Sequence, residues 1–144
     1  MPYDLYWLAE PRILYAEAIG VFSLPQVMDA NKAMMRLLDE ATAPLYLLCD
    51  VSRMTDYPRI VTQLREVVPY FYHPTFGCEY FYGVKSPAIS VILRLLSGFS
   101  PFDYQLVSSF EAALAALALR DPALKPLIAS IDRTLAQRRP VVPA

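Results

Sequence analysis

Glycine is scarce in this chain: only Gly20, Gly77, Gly83 and Gly98 occur among 144 residues. So few, so scattered, they build neither a phosphate-cradling P-loop nor a Gly-x-Gly-x-x-Gly dinucleotide turn. Histidine is scarcer, with His73 alone, and the two cysteines, Cys49 and Cys78, lie far apart. That excludes zinc spacing and any multi-histidine centre, and no metal or cofactor is expected. A basic surplus is missing too. Lys plus Arg number 13 against 14 for Asp plus Glu, a formal net charge of -1 with a pI near 5.8. Without a positive field to grip phosphates, nucleic acid is not an expected partner. No apolar run approaches the roughly 18 residues of a membrane span. No charged n-region precedes an apolar h-region, so no signal peptide is read. A cytoplasmic domain in a reducing compartment is the simplest expectation.

What the chain has in excess is grease. Its apolar fraction is 56% without counting glycine, against roughly 45–50% with glycine included for average chains. Such a surplus predicts either self-association or an apolar pocket, because monomers seldom leave large apolar patches uncovered. The length suits one domain, expected over 1–139, with 140–144 as a frayed tail. Both cysteines sit in apolar, strand-like runs and read as buried small hydrophobes rather than a disulfide.

The organising stretch is Pro44–Asp56, PLYLLCDVSRMTD. Its apolar run Leu45–Cys49 predicts a strand buried on both faces, ending near Val51. Before it, Tyr3–Ala9 and Arg12–Phe22 are strand-like and joined by a short Glu10-Pro11 link, which predicts an antiparallel hairpin. Ser23 to Gln26 then carries a cap, a capping-box partner and Pro25 in the first turn of a helix. Val27, Ala30, Met34, Leu37, Leu38 and Ala41 recur along that helix at the spacing of one buried face. After the central strand, Asp56 is expected to cap a further helix with an apolar stripe from Ile60 to Phe71. Phe76–Val84 should be an aromatic-rich strand. A third helix, Ala88–Gly98, is apolar nearly all round, with Arg94 its only charge, and its apolar character continues into Phe102. A short strand at Asp103–Val107 leads to a capping-box pattern at Ser108–Glu111 and a helix to Arg120. Asp121-Pro122 restarts a terminal helix.

Few residues remain for chemistry. His73 lies between Tyr72 and Pro74 with no nucleophile-elbow context and reads as a turn histidine. Asp39 and Glu40 fall on a solvated helix face. The remaining candidates are Asp50, Ser52, Thr55 and Asp56, at the carboxyl end of the central strand, where open α/β sheets place their working groups. Hydroxyls there, close to a helix N-terminus, would tolerate an added phosphate. The plainer alternative is that Asp50 and Ser52 tie a turn while Asp56 caps the helix.

The order hairpin, helix, strand, helix, strand, helix, strand, helix resembles the STAS and SpoIIAA-like superfamily of anti-sigma-factor antagonists and CRAL-TRIO-like domains. LLCDVSRMTD is similar to that group's aspartate-led turn at the end of the central strand. VSSFEAALAAL is similar to its closing strand-to-helix transition. The resemblance implies an α/β fold: one sheet of about five strands, mainly parallel after the initial hairpin, with helices packed against it. It also implies a regulatory, non-enzymatic role. Regulatory antagonists carry a DSSG phosphorylation motif shortly after the aspartate, whereas this chain reads MTDYPRI, with no serine pair and no glycine. Thr55 and Asp56 are nearest in position.

Two functions are therefore expected as rivals. One is an interaction module that forms a homodimer through Ile89, Ile92, Leu93, Leu96, Phe99 and Phe102, with a regulatory protein partner. The other is a carrier of a small hydrophobic or lipid-like ligand, held by Ile92, Leu96, Phe99 and the aromatic side chains of Phe76–Tyr82. An enzyme using Asp50, Ser52 or His73 is a distant third.

Overall fold

Seven consecutive residues, Leu45–Val51, are buried, and this decides the architecture. A strand apolar on both faces needs a strand on each side for its backbone and a layer above and below for its side chains. The structure is a computed structural model, and it describes residues 3–21, 23–56, 69–85, 87, 90–91, 94 and 103–132. In chain order it contains β1 (Tyr3–Ala9), β2 (Ile13–Val21), α1 (Leu24–Glu40) and β3 (Leu45–Asp56). A 3₁₀ turn (Pro69–Tyr72), β4 (Phe76–Tyr82) and β5 (Tyr104–Leu106) follow. The chain continues through α2 (Phe110–Arg120), a second 3₁₀ turn (Pro122–Leu124) and α3 (Lys125–Ala129). The strands form one five-stranded sheet in the order β1-β2-β3-β4-β5, with β3 in the middle. The β1–β2 pair is antiparallel, and every later pair is parallel.

Side chains alternate across β3 and feed two layers. Tyr46 and Leu48 join Ile13, Tyr15, Cys78 and Tyr80 on the face covered by α2 and the segment from Leu124 to Ile131. Leu45 and Leu47 join Leu14, Met34 and Leu38 on the opposite face, under α1. Cys49 and Val51 continue that second face beside Val27 and Phe81. Both cysteines are buried and free.

Local chemistry explains the helix starts. The backbone N–H and the hydroxyl of Ser23 both donate to Gln26 Oε1 at 2.8 Å, which pins the first turn of α1. Val27, Asn31, Met34 and Leu38 form its buried stripe. Asn31 is the polar member of that stripe, and its Oδ1 accepts from the Tyr70 backbone N–H at 3.3 Å. The α2 cap is Ser109, whose Oγ accepts from Ala112 N at 3.1 Å, so the helix begins one residue later than the Ser108–Glu111 pattern suggests. The sheet sets that boundary, because Val107 N still donates to Phe81 O at 2.9 Å.

Two expectations need correction. β3 runs on to Asp56 rather than ending near Val51, because the long β2 strand keeps pairing with it through Val21. Asp56 is accordingly the last residue of a strand, and the helix expected after it lies outside the described residues. The terminal helix is not continuous from Asp121: a 3₁₀ turn precedes the five residues of α3. Residues 133–144 lie outside the described residues.

At the opposite end of the sheet a polar network ties the α2 terminus down. Arg12 Nη2 donates to Asp121 Oδ2 at 2.9 Å, and the Tyr46 hydroxyl donates to the same oxygen at 3.3 Å. Arg120 Nη2 donates to Asp103 Oδ2 at 2.5 Å.

If β3 organises the core, Leu48→Ala should cost about 2–5 kcal/mol by deleting a fully buried side chain. Urea denaturation checks this. An unchanged midpoint would contradict the central role given to β3.

Candidate functional site

The polar half of β3 is a doubly bulged ribbon. Glu17 pairs with Asp50, and Ile19 pairs with Arg53, so three steps along β3 match two along β2. Gly20 pairs with Met54 and Val21 with Asp56, which repeats the mismatch: two steps against one. Each bulge leaves backbone groups without a ladder partner and re-aims the side chains that follow. At the first bulge Asp50 supplies the missing partner, its Oδ1 accepting from Ser52 N at 2.9 Å.

Asp50 and Glu17 are both buried, and they face each other as register partners on adjacent strands. Two carboxylates held this close repel unless a cation intervenes. Arg53 is that cation, with Nη1 3.6 Å from Glu17 Oε2 and a side chain 39% exposed. Tyr82 pairs with Asp50 on the other side. Its hydroxyl donates to the Tyr15 hydroxyl at 3.4 Å. Burial pushes both phenols well above their ordinary range, and the charges of Asp50 and Glu17 push in the same direction for each. Both phenols therefore stay neutral. Phe110, at the start of α2, packs edge-on against Tyr15 and Tyr82 at 6.2 and 6.3 Å. Tyr6 closes the group, 4.9 Å from Tyr15. The result is an aromatic floor with two carboxylates at its rim.

Gly83 braces this rim from the other side. Its φ is +76°, and a Cβ there would lie 2.5 Å from Ser52 Cβ and 2.9 Å from Ser52 N. Only glycine lets the chain leaving β4 lean this closely on the bulge.

The four expected residues thus sit on one ribbon but do different things. Asp50 ties its own strand, Ser52 is half-buried against Gly83, and Thr55 and Asp56 are exposed. Sequence reasoning missed Glu17, Arg53, Tyr15 and Tyr82. A glutamate inside the apolar run ILYAEAIGV was the signal for Glu17; nothing local marked the tyrosines as its neighbours. His73 is a turn residue with a 12% exposed side chain. Its Nδ1 accepts from Thr75 N at 3.1 Å, which leaves Nε2–H to donate to Asp39 Oδ1 at 2.9 Å. It joins a turn to α1 and does not reach the rim group. Ile89, Ile92, Leu93, Leu96, Phe99 and Phe102 lie outside the described residues, as does most of the helix expected at Ala88–Gly98. Among the described residues no group of three or more His, Cys, Asp or Glu is placed to hold a metal ion. No helix among them is long and apolar enough to cross a membrane.

This sheet order, with the hairpin first and the polar strand end in the middle, is a SpoIIAA-like fold. A similar solved structure is that of an uncharacterized protein of the DUF3478 family from Shewanella loihica PV-4, described as having a SpoIIAA-like fold. The two agree with a TM-score of 0.57 at 13% sequence identity, over 80% of this chain and 94% of that one. No family model and no curated protein matches the chain.

Gly83→Ala should destabilise the protein by at least about 1–2 kcal/mol from the left-handed backbone alone, with the contact on Ser52 adding to it. Urea titration of the variant is the measurement. Wild-type stability would mean that Gly83 does not brace the bulge.

Proposed function

We propose that the chain is a non-enzymatic regulatory module that meets a protein partner at the bulged tip of β3. The observation that carries this is how the rim carboxylates are engaged. Asp50 holds the Ser52 backbone, and Glu17 faces Arg53, so both shape the ribbon rather than wait for a substrate proton. What the ribbon turns outward is Arg53, Thr55 and Asp56, a short exposed stretch bearing a cation, a hydroxyl and a carboxylate. Polar groups presented on a strand suit docking, because pairing with β2 has already fixed the backbone that binding would otherwise have to order. The SpoIIAA-like fold supports the reading, since its regulatory members work from the same end of the central strand.

Self-association belongs to this proposal. The apolar surplus of the composition, to which residues 88–102 contribute with Arg94 as their only charge, calls for a covering surface, and a second copy of the chain supplies one.

Two measurements test these points. Light scattering at micromolar concentration should return a dimer, and Leu93→Glu should shift it to monomer; a wild-type monomer would end the self-association idea. For the tip, Thr55→Ala with Asp56→Ala, both exposed, should abolish retention of a partner captured by the wild-type chain from its own source, with circular dichroism unchanged. Equal retention by the double variant would remove the β3 tip as the docking edge. Mass spectrometry of protein from that source would show whether Ser52 or Thr55 carries phosphate.

A further inference from the structure

A third buried carboxyl lies on the other side of the sheet. Glu79 sits in β4 between β3 and β5, its side chain on the α1 face, and it is 3% exposed. Among the described residues no ion pair reaches it. Among the described residues, the groups that face it are polar but uncharged. From the 3₁₀ turn, the Tyr70 hydroxyl donates to Glu79 Oε1 at 2.5 Å. From β3, the Cys49 thiol is a hydrogen-bond neighbour whose own ionisation is pushed up by burial and by Glu79. From β5, Tyr104 is its register partner. From α1, Asn31 binds the Tyr70 backbone and so acts through the same turn. A carboxylate buried without a cation is costly, and such a site favours the neutral acid.

We propose that Glu79 is a proton-dependent latch: its neutral carboxyl holds the Pro69–Tyr72 turn against the sheet, and opening of the turn wets the carboxyl, which then gives its proton to water. The turn is the natural moving part. Tyr70 anchors it, binding Glu79 through the side chain and Asn31 through the backbone, and its ring packs edge-on against Phe76 at 5.5 Å.

The direction of the pH effect follows from linkage. Burial raises the Glu79 carboxyl from 4.5 to about 8 in the closed form, while the Tyr70 and Cys49 hydrogen bonds pull the other way. In the opened turn the carboxyl returns to its ordinary range. The closed form therefore binds one more proton between those limits, and rising pH favours opening there. Below them both forms are protonated, and above them both are ionised, so the dependence levels off at each end.

Hydrogen exchange by NMR on the full chain tests the latch, with each amide corrected for its intrinsic exchange rate. Protection of the turn amides should fall about tenfold per pH unit between roughly pH 5 and 8, then level off. Glu79→Gln should remove that slope while the amides of Leu47 and Leu48 keep their protection. A wild-type profile that is flat, or the same slope in Glu79→Gln, overturns the proposal. Should the variant fail to fold, the carboxyl ¹³C resonance of Glu79 in the wild-type chain decides. A midpoint near 8 supports the latch, and one in the ordinary carboxylate range overturns it.

Discussion

Everything in this fold depends on covering one strand twice. The seven buried residues of β3 cannot face water on either side, and their backbone groups need partners along both edges. The chain meets the edge requirement with β2 and β4. It meets the face requirement with α1 on one side and α2 with its C-terminal extension on the other. The initial hairpin and the short β5 then close the sheet at its edges, where strands tolerate exposure better. No other element carries as many obligations as β3.

The same sheet handles buried carboxyls in two ways. On the α2 face, Asp50 and Glu17 are adjacent, and the site supplies an arginine, a backbone N–H and a bulge that lets each reach its partner. On the α1 face, Glu79 is offered a phenol and a thiol among the described residues, and burial raises its carboxyl to about 8, above the ordinary carboxylate range. Position explains the contrast. Glu17 and Asp50 lie near the carboxyl rim, where a long side chain such as Arg53 keeps its head partly wet while reaching inward. Glu79 lies under a helix and a turn, where a guanidinium would have to be desolvated entirely. The rim carboxyls are thus engaged by a cation and a backbone N–H, whereas Glu79 is engaged by the turn through the Tyr70 hydroxyl.

Much of the frame was legible because its signals are local. Alternation marked β1 and β2, a serine with a glutamine three residues later marked the start of α1, and the apolar run marked the core of β3. Reading failed where a distant partner decides the outcome. Ser52 to Asp56 are polar apart from Met54 and look like a turn, yet they remain strand because β2 is long enough to pair with them. Asn31 falls in an otherwise apolar stripe because Tyr70, far along the chain, needs an acceptor. Ser108 looks like a cap, but β5 holds the chain extended until Ser109.

The division for the working edge is equally plain. The order of the residues alone established that a doubly buried strand delivers Asp50, Ser52, Thr55 and Asp56 to one end of a sheet, because strand burial and polarity are properties of neighbouring residues. Only the folded chain decided that Glu17, Arg53, Tyr15 and Tyr82 meet there, and that Glu79 is buried with no ion pair among the described residues. Those neighbours come from three strands. Their meeting is set by strand order, register and two bulges, none of which any single stretch of the chain contains.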